Sequence, residues 1–138
     1  MSNRIVRIDQ LSEAINEELE KVNQDAISAC NYAADIESKE AVTLLRASSP
    51  VRTDGYKRKY PPGSYAKSWR RRKTTDVFGV DSYVVYNEKH YPLTHLLEFG
   101  HIIALTGGRS KAFPHIAPAN DLVSEKYVKI VTDKVVKP

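Results

Sequence analysis

The sequence predicts an α+β domain: a long N-terminal helix, an antiparallel sheet of about three to four strands, a short helix and a C-terminal helix. Three observations carry that expectation. Apolar residues recur every three to four positions from Leu11 to Ala33 and, less regularly, on to Ala41 and Leu44. Short β-branched and aromatic runs, separated by turn residues, fill the middle of the chain. A helical period returns after His115 and holds to the C-terminal region. With 138 residues, 41% hydrophobic and 28% charged, the chain suits a single domain over residues 1–138 with one core.

Taken in order, "RIVRI" (Arg4 to Ile8) alternates weakly and reads as a short strand. Asp9 then offers an N-cap. Leu11, Ile15, Leu19, Val22, Ala26, Cys30, Ala33, Ala41 and Leu44 form a helical stripe, with glutamates and asparagines on the other face. "SSP" at Ser48 to Pro50 ends it, because proline cannot continue the backbone ladder. Unbroken from Leu11 to Ala47, such a helix spans about 55 Å. A compact chain of this size forms a globule under ~40 Å across. The helix should therefore overhang its own domain or kink, and an overhanging apolar stripe calls for a partner chain.

Residues 50–64 are rich in glycine, proline and cations and read as a long mobile loop. "YAKSWRRRK" (Tyr65 to Lys73) reads as a strand with Tyr65, Lys67 and Trp69 on one side. "DVFGV" and "SYVVYN" read as two further strands joined by a turn around Asp81 and Ser82. "PLTHLLEF" reads as a short helix with proline in its first turn and Gly100 as its stop. Residues 101–113 form an arm whose tip, "TGGRSK", is flexible by composition. "APANDLVSEKYVKIVTDKVV" closes the chain as a helix, with Leu122, Val123, Tyr127, Ile130, Val131 and Val135 as its apolar face.

Composition limits the function classes. No apolar run approaches the ~18 residues that a membrane span needs, and "MSNRIVRIDQ" lacks the apolar stretch of a secretory signal. Cys30 is the sole cysteine, which rules out an internal disulfide and fits synthesis in a reducing, intracellular setting. The net charge of +4 is unevenly spread. From Asp9 to Glu40 nine acidic residues face only Lys21 and Lys39, whereas from Arg46 to Lys73 ten basic residues face only Asp54. Such a split suits a nucleic-acid partner, or copies of the chain pairing opposite faces. The acidic face comprises Glu13, Glu17, Glu20, Asp25 and Asp35.

The chemistry-bearing motifs are weak as catalytic signals. His95, Glu98 and His101 are spaced by three, but His101 follows the glycine stop, and the pattern lacks the two histidines four apart of a helical zinc protease. No glycine-flanked serine elbow is present, and Cys30 lies on an apolar stripe. "TGGRS" has neither the lysine of a P-loop nor the third glycine of a dinucleotide fingerprint. No catalytic residue, metal site or cofactor is expected. The basic run is the stronger signal: Arg52, Lys57, Arg58, Lys59, Lys67, Arg70, Arg71, Arg72 and Lys73 are interleaved with Tyr56, Tyr60, Tyr65 and Trp69. Cations that neutralise phosphates beside aromatic faces that stack on bases suit nucleic acid. The same cations suit the acidic helix of a neighbouring copy.

"YNEKHYPLTHLLEFGH" and "GGRSKAFPHIAPAND", in that order, resemble a tail-component family of long-tailed bacteriophages, named after gene product ten of phage Hong Kong ninety-seven. The resemblance is specific from about Tyr86 to Asp121 and looser upstream. There "SPVRTDGYKRKYPPGSYAKSW" fits a family segment if Asp54 to Pro62 extends the loop, with Arg52 where an acidic residue is common. Members are minor virion proteins described as tail-completion or head–tail joining proteins of the neck. The resemblance implies a non-enzymatic structural subunit of the virion, forming a homo-oligomeric ring, taken as six-membered after the sixfold tail. Its expected neighbours are connector or head-closure proteins and tail-terminator or tail-tube proteins, with genomic DNA as a further contact in the channel. It also implies a structural role for the motif residues His95, Leu96, Leu97, Glu98, Phe99, Gly100, His101, Gly107, Gly108, Phe113, Pro114, His115, Pro118 and Ala119. Glu98, near a helix C-terminus and against its dipole, is expected to pair with a cation or histidine. Phe99 and Phe113 are expected as core anchors on either side of the arm.

Overall fold

The computed structural model describes residues 5–55 and 59–136. The chain is α+β. One helix, α1 (Leu11–Ser48), runs unbroken for 38 residues, about 57 Å at the standard rise. A single helical turn, α2 (Ser64–Lys67), leads into the antiparallel hairpin β1 (Trp69–Thr75) and β2 (Asp81–Asn87). A 3-10 turn at Tyr91–Leu93 runs into α3 (Thr94–Phe99), and the chain returns along α1 as α4 (Ile116–Val136).

The C-terminal half of α1 packs on α4 and on the inner face of the hairpin. Small side chains make this close approach possible: Ala29, Ala33, Ser38 and Ala41 are buried there, with Leu45 at the end. The core joins Leu45, Tyr65, Trp69 and Ala119, with Val42, Leu44, Val85, Leu97 and Ile116 packed around them. Leu45, one position past the expected Leu44, is the fully buried leucine, because the approach of α4 selects which side of the stripe is covered. The polar groups beside Trp69 are satisfied, whereas Glu37 Oε2, buried on α1, has no hydrogen-bond partner among the described residues. The Trp69 indole N–H donates to Ser49 Oγ at 2.8 Å, and Ser49 Oγ donates onward to Leu45 O at 2.5 Å. At the far end of α4, Lys134 sits 4.0 Å over the Tyr32 ring.

The described residues hold two strands rather than three to four. Residues 5–7 are irregular and Ile8–Gln10 is a 3-10 turn, so the strand expected at Arg4 to Ile8 does not form over its described part. Asp9 lies within that turn and pairs with Arg7 instead of capping the helix. Tyr65 and Lys67 belong to α2, which begins after Gly63 in the left-handed region. Tyr65 and Trp69 face the core and Lys67 faces solvent. "DVFGV" is the hairpin turn: the Asp76 carboxylate accepts from the amides of Phe78 and Val80, a side-chain-built turn that overrides β-propensity. Asp81 and Ser82, expected in a turn, are the first residues of β2. Asn31 of α1 clamps this hairpin end, donating to Gly79 O and accepting from Asp81 N, each at 2.8 Å.

Strand alternation sorts the hairpin into two faces. Trp69, Arg71, Lys73 and Thr75, with Asn87, Val85, Tyr83 and Asp81 opposite, face α1. Arg70, Arg72 and Thr74, with Tyr86, Val84 and Ser82 opposite, are all exposed. From Leu11 to Asp25, every residue of α1 except Ala14 is exposed as well. The helix does overhang its domain, and it does so without a break.

The two halves of α1 should respond differently to truncation. Leu45→Ala removes a buried anchor and should cost about 2–5 kcal/mol, whereas Leu19→Ala, at 61% exposure, should stay within about 0.5 kcal/mol. Urea denaturation of the monomeric protein measures both.

Candidate functional site: a carboxylate cap and two uncovered faces

The motif of residues 93–121 is built around one carboxylate. Glu98 ends α3, is 5% exposed, and points at the start of α4. Its Oε2 accepts from the amides of His115 and Ile116 at 2.8 and 2.9 Å, and Oε1 accepts from Ala117 N at 2.9 Å. The first amides of a helix have no intrahelical acceptor and carry its positive dipole end, so a carboxylate there both satisfies and neutralises them. Glu98 lies three residues or fewer from the wrong end of its own helix and at the right end of the next one. Burial alone would raise its pKa; the hydrogen bonds from Ala117, His115 and Ile116 outweigh burial and hold it below the usual 4.5.

The expected histidine partner is His115, whose Nδ1 lies 3.1 Å from Glu98 Oε2. Nδ1–H also points at Phe113 O, 2.6 Å away, which leaves Nε2 to accept from the Tyr65 hydroxyl at 2.8 Å. Burial, and then the Glu98 charge, push the Tyr65 hydroxyl up to about 12. Asn87, buried at the end of β2, donates to Tyr65 O and accepts from His90 N. Glu98, His115, Tyr65 and Asn87 thus tie α3, α4, α2 and the hairpin together. The sequence reading missed Asn87 and Ser49; each is a lone polar residue at an element end, and no spacing pattern flags it.

The remaining motif residues are mostly turn-makers. Gly100 has φ 73°, and a Cβ there would lie 2.6 Å from Ser110 O, so only glycine fits. Ser110 Oγ contacts His101 Nδ1 at 2.9 Å, and Ser110 N donates to His101 O. The arm closes on itself: Ile102 bridges Arg109, Ile103 N donates to Gly108 O, and Gly107 N donates to Ile103 O. Leu96 is half-buried and Leu97 packs on the core; Pro114 and Pro118 are exposed and Ala119 is buried. Pro118 sits in the first turn of α4, where its missing N–H costs nothing. The expectation for the aromatics fails. Phe99 is 71% and Phe113 41% exposed. Adjacent helix positions point about 100° apart, so aiming Glu98 at α4 turns Phe99 outward. Phe113 serves through its backbone instead, donating to Leu97 O, while Lys111 lies 5.4 Å over its ring.

The histidines do not converge. His95 is exposed on α3, His101 serves the arm and His115 the core. Among the described residues no group of three or more His, Cys, Asp or Glu side chains is placed to hold a metal ion, and no helix is long and apolar enough to cross a membrane. Ser64 Oγ lies 2.8 Å from His90 Nε2 beside an open groove lined by Arg52, Tyr60 and Leu93. The described residues place no carboxylate in a hydrogen bond with His90, whose backbone N–H donates to Asn87 Oδ1. A second open groove, of about 490 Å³, runs between α1, α4 and the hairpin over buried Glu37. Burial and the neighbouring Glu40 charge raise the Glu37 pKa, while Glu40 itself pairs with Lys126.

The cations of the basic run divide by position. Arg71 faces inward and bonds Asp35 Oδ1 and Ser38 Oγ at 2.8 and 2.9 Å. Hydrogen bonds from Lys39 and Arg71 pull the Asp35 pKa down to about 2. Lys73 pairs with Asp81 at 3.1 Å. Acidic helix and basic strand therefore already meet within one chain, at Asp35. Arg52 lies 3.1 Å from Asp54, and Lys59 lies over Tyr60. Lys67, Arg70 and Arg72 are exposed, Arg70 with a loose 3.6 Å contact to Glu88. Lys57 and Arg58, with Tyr56, lie outside the described residues. Tyr65 and Trp69 are core residues, which withdraws them from any base-stacking surface. Glu13, Glu17, Glu20 and Asp25 are exposed on the overhang. No protein-family model, curated protein or solved structure matches the chain.

The cap sets stability at both ends of the pH scale. Glu98 has a folded pKa below its unfolded value, so its stabilisation is complete above that value and is lost as pH falls through the folded pKa. Glu98→Gln should cost roughly 1–3 kcal/mol at neutral pH, since an amide NH₂ faces helix donors, and should flatten the acid limb. Tyr65 behaves oppositely: with 10.0 raised to about 12, stability is complete below pH 10 and falls as pH climbs to 12. Tyr65→Phe should remove that alkaline loss. Denaturant midpoints measured against pH for the three proteins check both limbs.

Proposed function

We propose that this chain is a structural virion protein of the phage neck, a tail-completion or head–tail connector subunit that joins copies of itself into a ring between head and tail. The observation that carries the reading is the uncovered half of α1. Leu11, Ile15, Leu19 and Val22 stand in a stripe on a helix segment where, among the described residues, only Ala14 is buried. A chain acting alone gains no stability from such a stripe; an assembly subunit does. The motif's resemblance to neck proteins supplies the setting. The buried carboxylate cap supports a structural role for that motif, because Glu98 and His115 are spent on holding α3 to α4.

In this reading the ring has six copies and stands between the connector or head-closure proteins and the tail-terminator or tail-tube proteins. It forms in the cytoplasm of the bacterial host and remains in the particle. A surface with two different uncovered faces, one acidic and apolar, one basic, makes a head-to-tail contact that closes by rotation. DNA passing through the channel is a further partner for the exposed cations. The rival is a free nucleic-acid-binding protein using residues 52–73, favoured by exposed Lys59, Lys67, Arg70 and Arg72. Without Tyr65 and Trp69 such binding would rest on phosphate contacts, and its affinity would fall steeply with salt.

Deleting the reading frame from the phage should leave full heads and finished tails that do not join, and purified wild-type particles should contain the chain in multiple copies. Mass spectrometry of particles and electron microscopy of the deletion lysate measure this. Particles that lack the chain, together with steeply salt-dependent DNA binding by the isolated protein, would establish the rival.

A further inference from the structure

We propose that the free N-terminal half of α1 in one copy lies across the outer face of the β1–β2 hairpin of the next. This contact deepens the ring reading and rests on it. The two surfaces match in length: residues 11–25 of α1 rise about 22 Å, and the seven-residue strands run about 23 Å. They match in character. The helix offers Leu11, Ile15, Leu19 and Val22, and the sheet face offers Val84 and Tyr86, all exposed. They match in charge. Glu13, Glu17, Glu18, Glu20 and Asp25 against Lys21 make the helix acidic, while Arg70 and Arg72 point outward from β1.

The hairpin leaves one of its two faces open. A two-stranded hairpin is marginal unless a face is packed, and here the inner face already lies against α1. Among the described residues nothing covers the outer face, and no ion pair engages Arg72. A second helix laid on it completes a helix–sheet–helix sandwich with both charge sets neutralised. Because the overhang and the hairpin face are different patches of one chain, the contact is head-to-tail and each copy uses both.

Two double variants separate the patches without touching the core. Ile15→Lys/Leu19→Lys spoils the helix, and Arg72→Glu/Val84→Asp spoils the sheet face; circular dichroism should show both folded. Sedimentation of the full chain over a concentration series should show wild type associating to a closed species and each variant monomeric. An equimolar mixture of the two variants should stop at a heterodimer, since it contains one intact helix and one intact sheet face per pair. Association that survives in the sheet variant but not in the helix variant would mean that overhangs pair with one another, and overturns the proposal. So does a mixture that stays monomeric, or wild type monomeric at every concentration. The last result leaves the neck reading to its own test, the composition of particles. Loss of DNA binding in the sheet variant with wild-type self-association would assign Arg72 to phosphate contacts and also overturn it.

Discussion

A helix of 38 residues cannot be covered by one 21-residue helix and a hairpin of seven-residue strands, and this excess of length governs the molecule. α4 runs back along α1 from Leu45 towards Tyr32 and then ends. Over residues 11–25 the apolar stripe continues at the same spacing, and among the described residues of that segment only Ala14 is buried. The composition of α1 changes to suit. Where α4 and the hairpin lie against it, the covered positions are small or polar until Leu45: Ala29, Ala33, Glu37, Ser38 and Ala41. Where nothing does, the stripe carries Leu11, Ile15, Leu19 and Val22. Small residues let helices approach closely within a fold; large exposed ones suit a contact made later.

The core is correspondingly slight, so polar groups do much of the joining. Glu98 shows how. A cap supplied from a residue at the helix's own N-terminus fixes one helix; a cap supplied by α3 fixes the angle and separation of two. The carboxylate also carries His115 and, through it, Tyr65, so the first turn of α4, the end of α3 and α2 are placed by a single charged group. A buried charge is tolerated only when its acceptor sites are filled, and three backbone amides donate to these two oxygens, with His115 Nδ1 3.1 Å from one of them. The histidine-rich stretch that resembles a metal or catalytic signal is thereby the joint of the fold.

Periodicity reveals α1 and α4 because a helical stripe is a local property repeated many times. The overhang is legible for the same reason, since length follows from residue count alone. Other features depend on groups distant in sequence. Tyr65, Lys67 and Trp69 alternate as a strand does, but Gly63 in the left-handed region and the bond from Ser68 Oγ to Ser64 O wind this segment into one turn first. "DVFGV" has strand composition, and the Asp76 side chain folds it back. The need of Glu98 for a partner can be read from its place at a helix end; that the partner would be three amides of another helix cannot. Phe99 reads as core by composition, and its exposure follows only from the direction Glu98 must take. The basic run is legible as charge, but its division is a matter of strand alternation, which needs β1 to start at Trp69 and not earlier.

That division ties the register of the hairpin to the charge of its outer face. Arg70, Arg71 and Arg72 are adjacent in sequence, yet alternation sends Arg71 to Asp35 and its neighbours to the surface. A one-residue slip of β1 would reverse the assignment, turning Arg70 and Arg72 inward and Arg71 and Lys73 away from Asp35 and Asp81. Asp35 and Trp69 therefore guard the register: Asp35 accepts the inward arginine, and Trp69 is locked to Ser49. The two outward arginines remain on a face whose apolar members, Val84 and Tyr86, come from the other strand. A strand that alternates arginine in with arginine out can hold its own helix with one set and present charge to a neighbour with the other. The acidic half of α1 lies away from the hairpin arginines of its own chain, Arg71 meeting the helix at Asp35, and it has a charge and length complementary to the outer hairpin face.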